Sequence, residues 1–260
     1  MSRSGISAAI RHRTSTARGD QLTLDLVHRG ERVPAVWLTP SAPRSPTVLL
    51  LHGFSSSKER MASSMGRALQ ELGVASLALD LPFHGERDGD RGVESLKNPL
   101  VLVGAWKAAI AEARAAVTWL SEQGETDADR MGVVGYSLGG FLALMAAAED
   151  ERLRVVALAA AGDLPDRTPY ASLVRGLVNP LRAAKRLDGR PLLLVNGRHD
   201  TTTRPEQAER LFEAATEPKT MQWYAGGHWP PQSAIARAAQ WTADRLKEIA
   251  TGRGRSRRTG

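Results

Sequence analysis

The strongest constraint on this chain is a set of short, almost unbroken apolar runs at 47–51, 74–79, 155–160 and 192–195, each bounded by turn residues. A run of that length without polar alternation reads as a strand that needs cover on both faces. Longer segments of helical period lie between the runs, at about 58–72, 103–122, 138–149, 206–215 and 232–250. Strand and helix in alternation argue for βα units around a mostly parallel sheet. Two runs near the start, 22–27 and 33–38, flank the polar turn Arg29-Gly30-Glu31 and are expected to pair antiparallel. Further strands are expected at 130–134, running into Gly135, and at 221–224. No internal repeat or dividing linker interrupts 20–250, so one domain is the simplest organisation.

Composition removes several classes of function. With no Cys in 260 residues there is no disulfide framework, thiolate metal site, iron–sulfur cluster or Cys nucleophile. The net charge of +7 invites a nucleic-acid reading until the charge is located. Residues 1–19 carry Arg3, Arg11, Arg13 and Arg18, and residues 251–260 carry Arg253, Arg255, Arg257 and Arg258, with no acid in either stretch. These eight charges leave 20–250 at minus one, without the basic face of a nucleic-acid-binding domain. Both ends are therefore expected to be basic flexible tails, and no nucleic-acid partner is expected. No apolar run approaches the roughly 18 to 20 residues a membrane-spanning helix needs. No membrane partner is expected, and a cytoplasmic location follows from that reading. There is no H-E-x-x-H, and no G-x-G-x-x-G opens a helix, so no metal or dinucleotide cofactor is expected. Oligomeric state is not readable from the sequence.

The chemistry concentrates at Gly135-Tyr136-Ser137-Leu138-Gly139, a G-x-S-x-G string that follows an expected strand and opens an expected helix. In that setting the serine sits on a sharp turn that exposes its hydroxyl, and the glycines make room for the reversing backbone. An N-cap role alone would not need glycine on both sides.

On these residues the sequence resembles the α/β-hydrolase superfamily from about 22 to 250, which implies a mostly parallel central sheet flanked by helices. The segment 162–190, with an amphipathic piece near 173–187 interrupted by Pro180, is a small insertion and leaves no large cap. The family orders its residues Ser, acid, His along the chain. Here Ser137 is followed by Asp200 in Asn196-Gly197-Arg198-His199-Asp200 and by His228 in Gly226-Gly227-His228-Trp229. The resemblance implies Ser137 as nucleophile, His228 as general base and Asp200 as its orienting acid. It also implies an oxyanion hole from the backbone N–H groups of Leu138 and Phe54, the latter in His52-Gly53-Phe54. Asp163, after the strand at 155–160, is the rival acid.

Among the other histidines, His12 lies in the N-terminal stretch, His28 at a strand end, and His199 beside the acid. His52 belongs to the oxyanion loop. His84, in Asp80-Leu81-Pro82-Phe83-His84-Gly85-Glu86-Arg87, reads as architectural, with a pocket-lining role as the alternative. The loop is similar to the D-x-P-x-H-G loop of some esterase and peptidase-like branches. Similarity extends to dienelactone hydrolases, which use Cys where this chain has Ser137, and to prolyl-oligopeptidase catalytic domains, here without a propeller. An accessible pocket lined by Phe54, Phe83, Tyr136, Leu164 and Trp229 is expected. The implied activity is hydrolysis of small to medium carboxylic esters or thioesters, with a small-molecule ester as the partner. A peptidase, an acyltransferase on the same residues, and a non-catalytic ligand-binding protein are the alternatives.

Overall fold

The computed structural model describes residues 5–89, 92–164, 176 and 178–256. Its strands are β1 (Ile6–Thr16), β2 (Gly19–His28), β3 (Glu31–Pro40), β4 (Ser45–Leu51), β5 (Ala75–Leu79), β6 (Thr126–Tyr136), β7 (Leu153–Ala159), β8 (Leu192–Gly197) and β9 (Lys219–Tyr224). They form one sheet in the order β1-β2-β3-β5-β4-β6-β7-β8-β9. β1, β2, β3 and β5 pair antiparallel in succession, and from β5 to β9 every pairing is parallel.

The unbroken apolar runs are explained by what covers them. β4 and β5 are buried along their whole length. On β4, Leu49 and Leu51 face one apolar cluster while Val48 and Leu50 face another, as the period of two requires. The first cluster is closed by helices α3 (Pro99–Ser121), α4 (Leu138–Glu149), α5 (Pro180–Lys185) and α6 (Pro205–Ala214). The second is closed by α1 (Lys58–Met61), which continues through a π-helical turn (Ala62–Gly66) into α2 (Arg67–Glu71), and by α7 (Gln232–Ser256). The result is three layers with helices on both faces of the sheet, the α/β-hydrolase fold the sequence pointed to. Among the described residues, no helix is long and apolar enough to cross a membrane.

The start of the chain departs from expectation. Within the expected flexible tail 1–19, residues Ile6–Thr16 form an edge strand antiparallel to β2. Only Ile6 of the eleven is buried, so neither face shows the apolar alternation by which a strand is read from sequence. Backbone pairing and ion pairs hold it instead. Arg11 grips Glu86 with two hydrogen bonds of 2.9 and 2.6 Å, Arg13 pairs with Asp20, and Arg18 reaches Glu71 at 2.9 Å. Three of the charges assigned to a free tail are thus neutralised on the body. At the other end, the expected tail 251–260 is shortened, because the α7 backbone stays helical to Ser256, each added residue extending the ladder by one bond. Residues 257–260 lie outside the described residues.

Two interior boundaries also move. The loop 80–100 contains two 3-10 turns, Gly85–Arg87 and Gly92–Lys97, and α3 begins at Pro99, capped by Asn98, whose side chain accepts from the Leu100 N–H at 2.9 Å. Residue 176 is helical and 178–179 are not, so helix resumes at Pro180. The proline opens α5 behind an Asn179 cap, at the position where its missing N–H costs nothing. The rest of the expected amphipathic piece, 173–175 and 177, lies outside the described residues.

Candidate active site

Ser137 sits at the C-terminal end of β6, immediately before α4, with φ 51 and ψ −115. A left-handed φ at a residue with a side chain costs roughly 1 to 3 kcal/mol and persists only where the surroundings impose it. Here they do. A side chain at Gly135 would put its Cβ 2.2 Å from the Gly139 carbonyl oxygen, and one at Gly139 would lie 2.1 Å from that of Leu51. The Ser137 N–H donates to the Ala159 carbonyl at 2.9 Å, tying the turn to β7. Leu138, as the first residue of α4, presents an N–H with no acceptor inside the helix.

The loops after β8 and β9 bring in the other two residues. They are joined by backbone bonds from Arg198 N–H to Tyr224 and from His199 N–H to Gly226, at 3.0 and 2.9 Å. Asp200 is buried. One of its oxygens accepts from the Thr202 and Thr203 N–H groups at 2.8 and 3.0 Å, and the other lies 2.8 Å from His228 Nδ1. His228 Nε2 in turn lies 2.9 Å from Ser137 Oγ. A carboxylate beside Nδ1 places the proton there and leaves the Nε2 lone pair facing the hydroxyl. The rival acid is elsewhere: Asp163 bonds Arg210 at 3.2 Å, and its carbonyl accepts from Gln207.

A second ionisable cluster underlies the loops after β4 and β5. His52 is fully buried, its Nδ1 2.8 Å from the Gly53 carbonyl and its Nε2 accepting from the Leu81 N–H at 3.0 Å. Those two bonds fix one neutral tautomer, and burial pushes the imidazole down to about 4. Buried Asp80 accepts from the backbone N–H and the ammonium of Lys58 at 2.9 and 2.8 Å, and from the Glu86 N–H at 3.0 Å. Burial disfavours the Lys58 charge, but hydrogen bonds to Asp80, Glu59 and Glu86 outweigh it and the ammonium is held above its ordinary range. Glu86 is held well below the usual carboxylate range by hydrogen bonds from Arg11 and Lys58. His84, also buried and lowered by burial, bonds the Pro82 carbonyl at 2.8 Å, as an architectural residue would. Its ring packs edge-on against His52 and Phe54, with centroids 5.2 and 5.4 Å away.

The five residues expected to line one pocket are distributed. Tyr136 and Trp229 stack at 5.1 Å between ring centroids and line a pocket of 250 Å³. Phe83 lines a different groove, of 710 Å³, with Arg32, Glu86, Arg87 and Glu112, because its φ of 64 turns it toward α3. Phe54 is exposed, and Leu164 is buried as the last described residue before 165. The reading from sequence missed Lys58 and Arg60 altogether. Nothing near position 58 announces a buried lysine, whereas Asp80, within the loop already singled out, was the available signal.

Residues 48–251 match the model of the alpha/beta hydrolase family. The chain is 27% identical to the putative hydrolase YtaP of Bacillus subtilis over 225 residues, 76% of this chain and 75% of that protein. It is 32% identical to the polyketide transferase ATR5 of Stachybotrys chlorohalonatus over 120 residues, 46% of this chain. Coverage of relatives is partial: 37% of ATR5 and 36% of a 31.7 kDa Escherichia coli protein. Among solved structures, a cold-adapted esterase from an Arctic intertidal metagenomic library superposes with a TM-score of 0.72 at 24% identity, covering 91% of this chain and 98% of that one. Acetyl xylan esterase 1 from Thermoanaerobacterium sp. gives a TM-score of 0.69 at 19% identity, covering 92% and 87%. At such identities these two share the fold. The family match, spanning most of the chain, goes further: the chain belongs to the alpha/beta hydrolase family.

Proposed function

We propose that the protein is a serine hydrolase of small to medium carboxylic esters, acting through Ser137, His228 and Asp200. The observation that carries this reading is the unbroken run from Asp200 Oδ2 through His228 to Ser137 Oγ, with links of 2.8 and 2.9 Å. Ser137 Oγ attacks the ester carbonyl as His228 Nε2 takes its proton, and Asp200 stabilises the imidazolium. The oxyanion is received by the N–H groups of Leu138 and Phe54, the first aided by the N-terminus of α4. His228 then returns the proton to the departing alkoxide, leaving an acyl group on Ser137. Water, deprotonated by His228, releases the acid and restores the serine.

Ser137→Ala is expected to cut turnover of 4-nitrophenyl butyrate by about 10⁴-fold or more and to abolish labelling by a fluorophosphonate probe. Undiminished turnover in that variant would overturn the proposal. A second reading, transfer of the acyl group to an alcohol, is supported by the likeness to a protein named a polyketide transferase. Product analysis with competing alcohols separates the two, since a transferase makes new ester where a hydrolase makes acid.

A further inference from the structure

Two cations near the start of α1 have opposite surroundings. Lys58 is fully buried and holds three carboxylates, Glu59 at 2.5 Å and Asp80 and Glu86 at 2.8 Å each. Arg60, two residues on and so on the other side of the helix, is exposed and pairs with no carboxylate among the described residues. Its guanidinium lies over the Trp229 indole instead, 4.6 Å from the ring centroid. Stacking of this kind holds the planar fork in one orientation and leaves its edge N–H donors free for an anion.

The place Arg60 occupies gives that donor edge a use. With Ser56 and Ser64 it borders the 250 Å³ pocket whose apolar lining includes Met61, Met65, Tyr136 and Trp229. This volume falls short of a drug-sized site and suits a short chain of carbons. The pocket also shares a wall with the reactive run, because the Tyr136 ring centroid is 5.4 Å from that of His228 and 5.1 Å from that of Trp229. An apolar cleft that shares Tyr136 with the His228 side of the reactive run thus has an uncompensated, pre-oriented guanidinium at its border.

We infer that Arg60 is a specificity-determining residue that selects esters bearing a carboxylate, namely half-esters of short dicarboxylic acids. This rests on the ester-hydrolase reading above. The methylene chain lies against Tyr136, Met61 and Met65, and the distal carboxylate receives the Arg60 N–H groups, bidentate where geometry allows. The chemistry at Ser137 is unchanged: the ester C–O bond breaks, the alkoxide takes the proton from His228, and water releases the dicarboxylate.

The test compares mono-4-nitrophenyl glutarate with neutral 4-nitrophenyl pentanoate. In the native protein the kcat/KM ratio of anionic to neutral ester should exceed one and should fall as salt is raised to about 0.5 M. Arg60→Gln should lower that ratio by about tenfold, mainly through KM, and Arg60→Lys should recover part of it. Ser137-dependent turnover of the neutral ester with a ratio unmoved by Arg60→Gln overturns the inference and leaves the hydrolase reading standing. If neither ester is turned over, the hydrolase reading fails and calorimetry decides the site. Tighter binding of glutaric monoamide than of pentanamide, lost in Arg60→Gln, supports it, and equal binding of the two overturns it.

Discussion

His228 and His52 stand beyond the same end of the sheet, after β9 and β4, yet their surroundings assign them opposite work. The side chain of His228 is 17% exposed, with a carboxylate on one nitrogen and a hydroxyl on the other. That of His52 is 0% exposed, and both its nitrogens are taken by backbone groups. The first can accept and return a proton. The second is a brace that joins the Gly53 turn to Leu81 and stays neutral. Asp200 and Asp80 repeat the contrast: each accepts from two backbone N–H groups, but Asp200 also faces an imidazole and Asp80 an ammonium. Residue type is shared between the clusters, and partners decide which one is arranged for the proposed reaction.

The largest effect should come from the reactive cluster. Asp200→Asn keeps the shape but turns an amide N–H donor toward His228 Nδ1, which fixes the wrong tautomer, and is expected to lower kcat by about 10⁴-fold with little change in stability. Chromogenic ester turnover and urea unfolding, measured on the same preparation, check both halves. A loss below about tenfold would put Asp200 in the bracing class.

Asp80→Ala should do the reverse. It strips the fully buried Lys58 of its buried partner and frees two N–H groups, at a cost of about 3 to 5 kcal/mol in urea unfolding. Glu86 and Glu59 remain on the lysine and favour the lower end of that range. Turnover per folded molecule should fall far less than in Asp200→Asn, and an equal fall would erase the contrast between the clusters.

The smallest effect is read against pH. Unfolded, the His52 imidazole binds a proton near 6.5, and folded it does so only near about 4. Between those values the unfolded chain holds the extra proton, so acid favours unfolding. The contribution of His52 is complete above about pH 6.5 and is lost as pH falls toward 4, amounting to about 3 kcal/mol. Urea midpoints at pH 7.5, 6 and 4.5 should fall in the native protein and fall less steeply in His52→Asn. Parallel slopes would show that His52 titrates freely.

Some of this was legible because it is local. The strain at Ser137 and the need for Gly135 and Gly139 arise within a few residues of chain, so a pentapeptide suffices to announce them. The unbroken run of β4 likewise states its own double burial. Other features carried no local mark. Asp163 and Asp200 both follow parallel strands, and the choice between them was made by Arg210, which takes the first, and by the position of His228 beside the second. β1 lacks an apolar face, and Arg11, Arg13 and, just beyond it, Arg18 read as loose charge although Asp20, Asp25, Glu71 and Glu86 receive them.

Sequence alone determined the order of strands and helices from β2 onward, the double cover of the unbroken apolar strands and the turn that exposes Ser137, because periodicity and steric fit act over a few neighbouring residues. The tertiary structure alone decided which carboxylate meets which cation, that Phe83 leaves the pocket of Tyr136 and Trp229, and that Lys58 is neutralised where Arg60 is not. Charge pairing is settled by which loops the sheet brings together, and residues tens of positions apart carry no record of that meeting in their own surroundings along the chain.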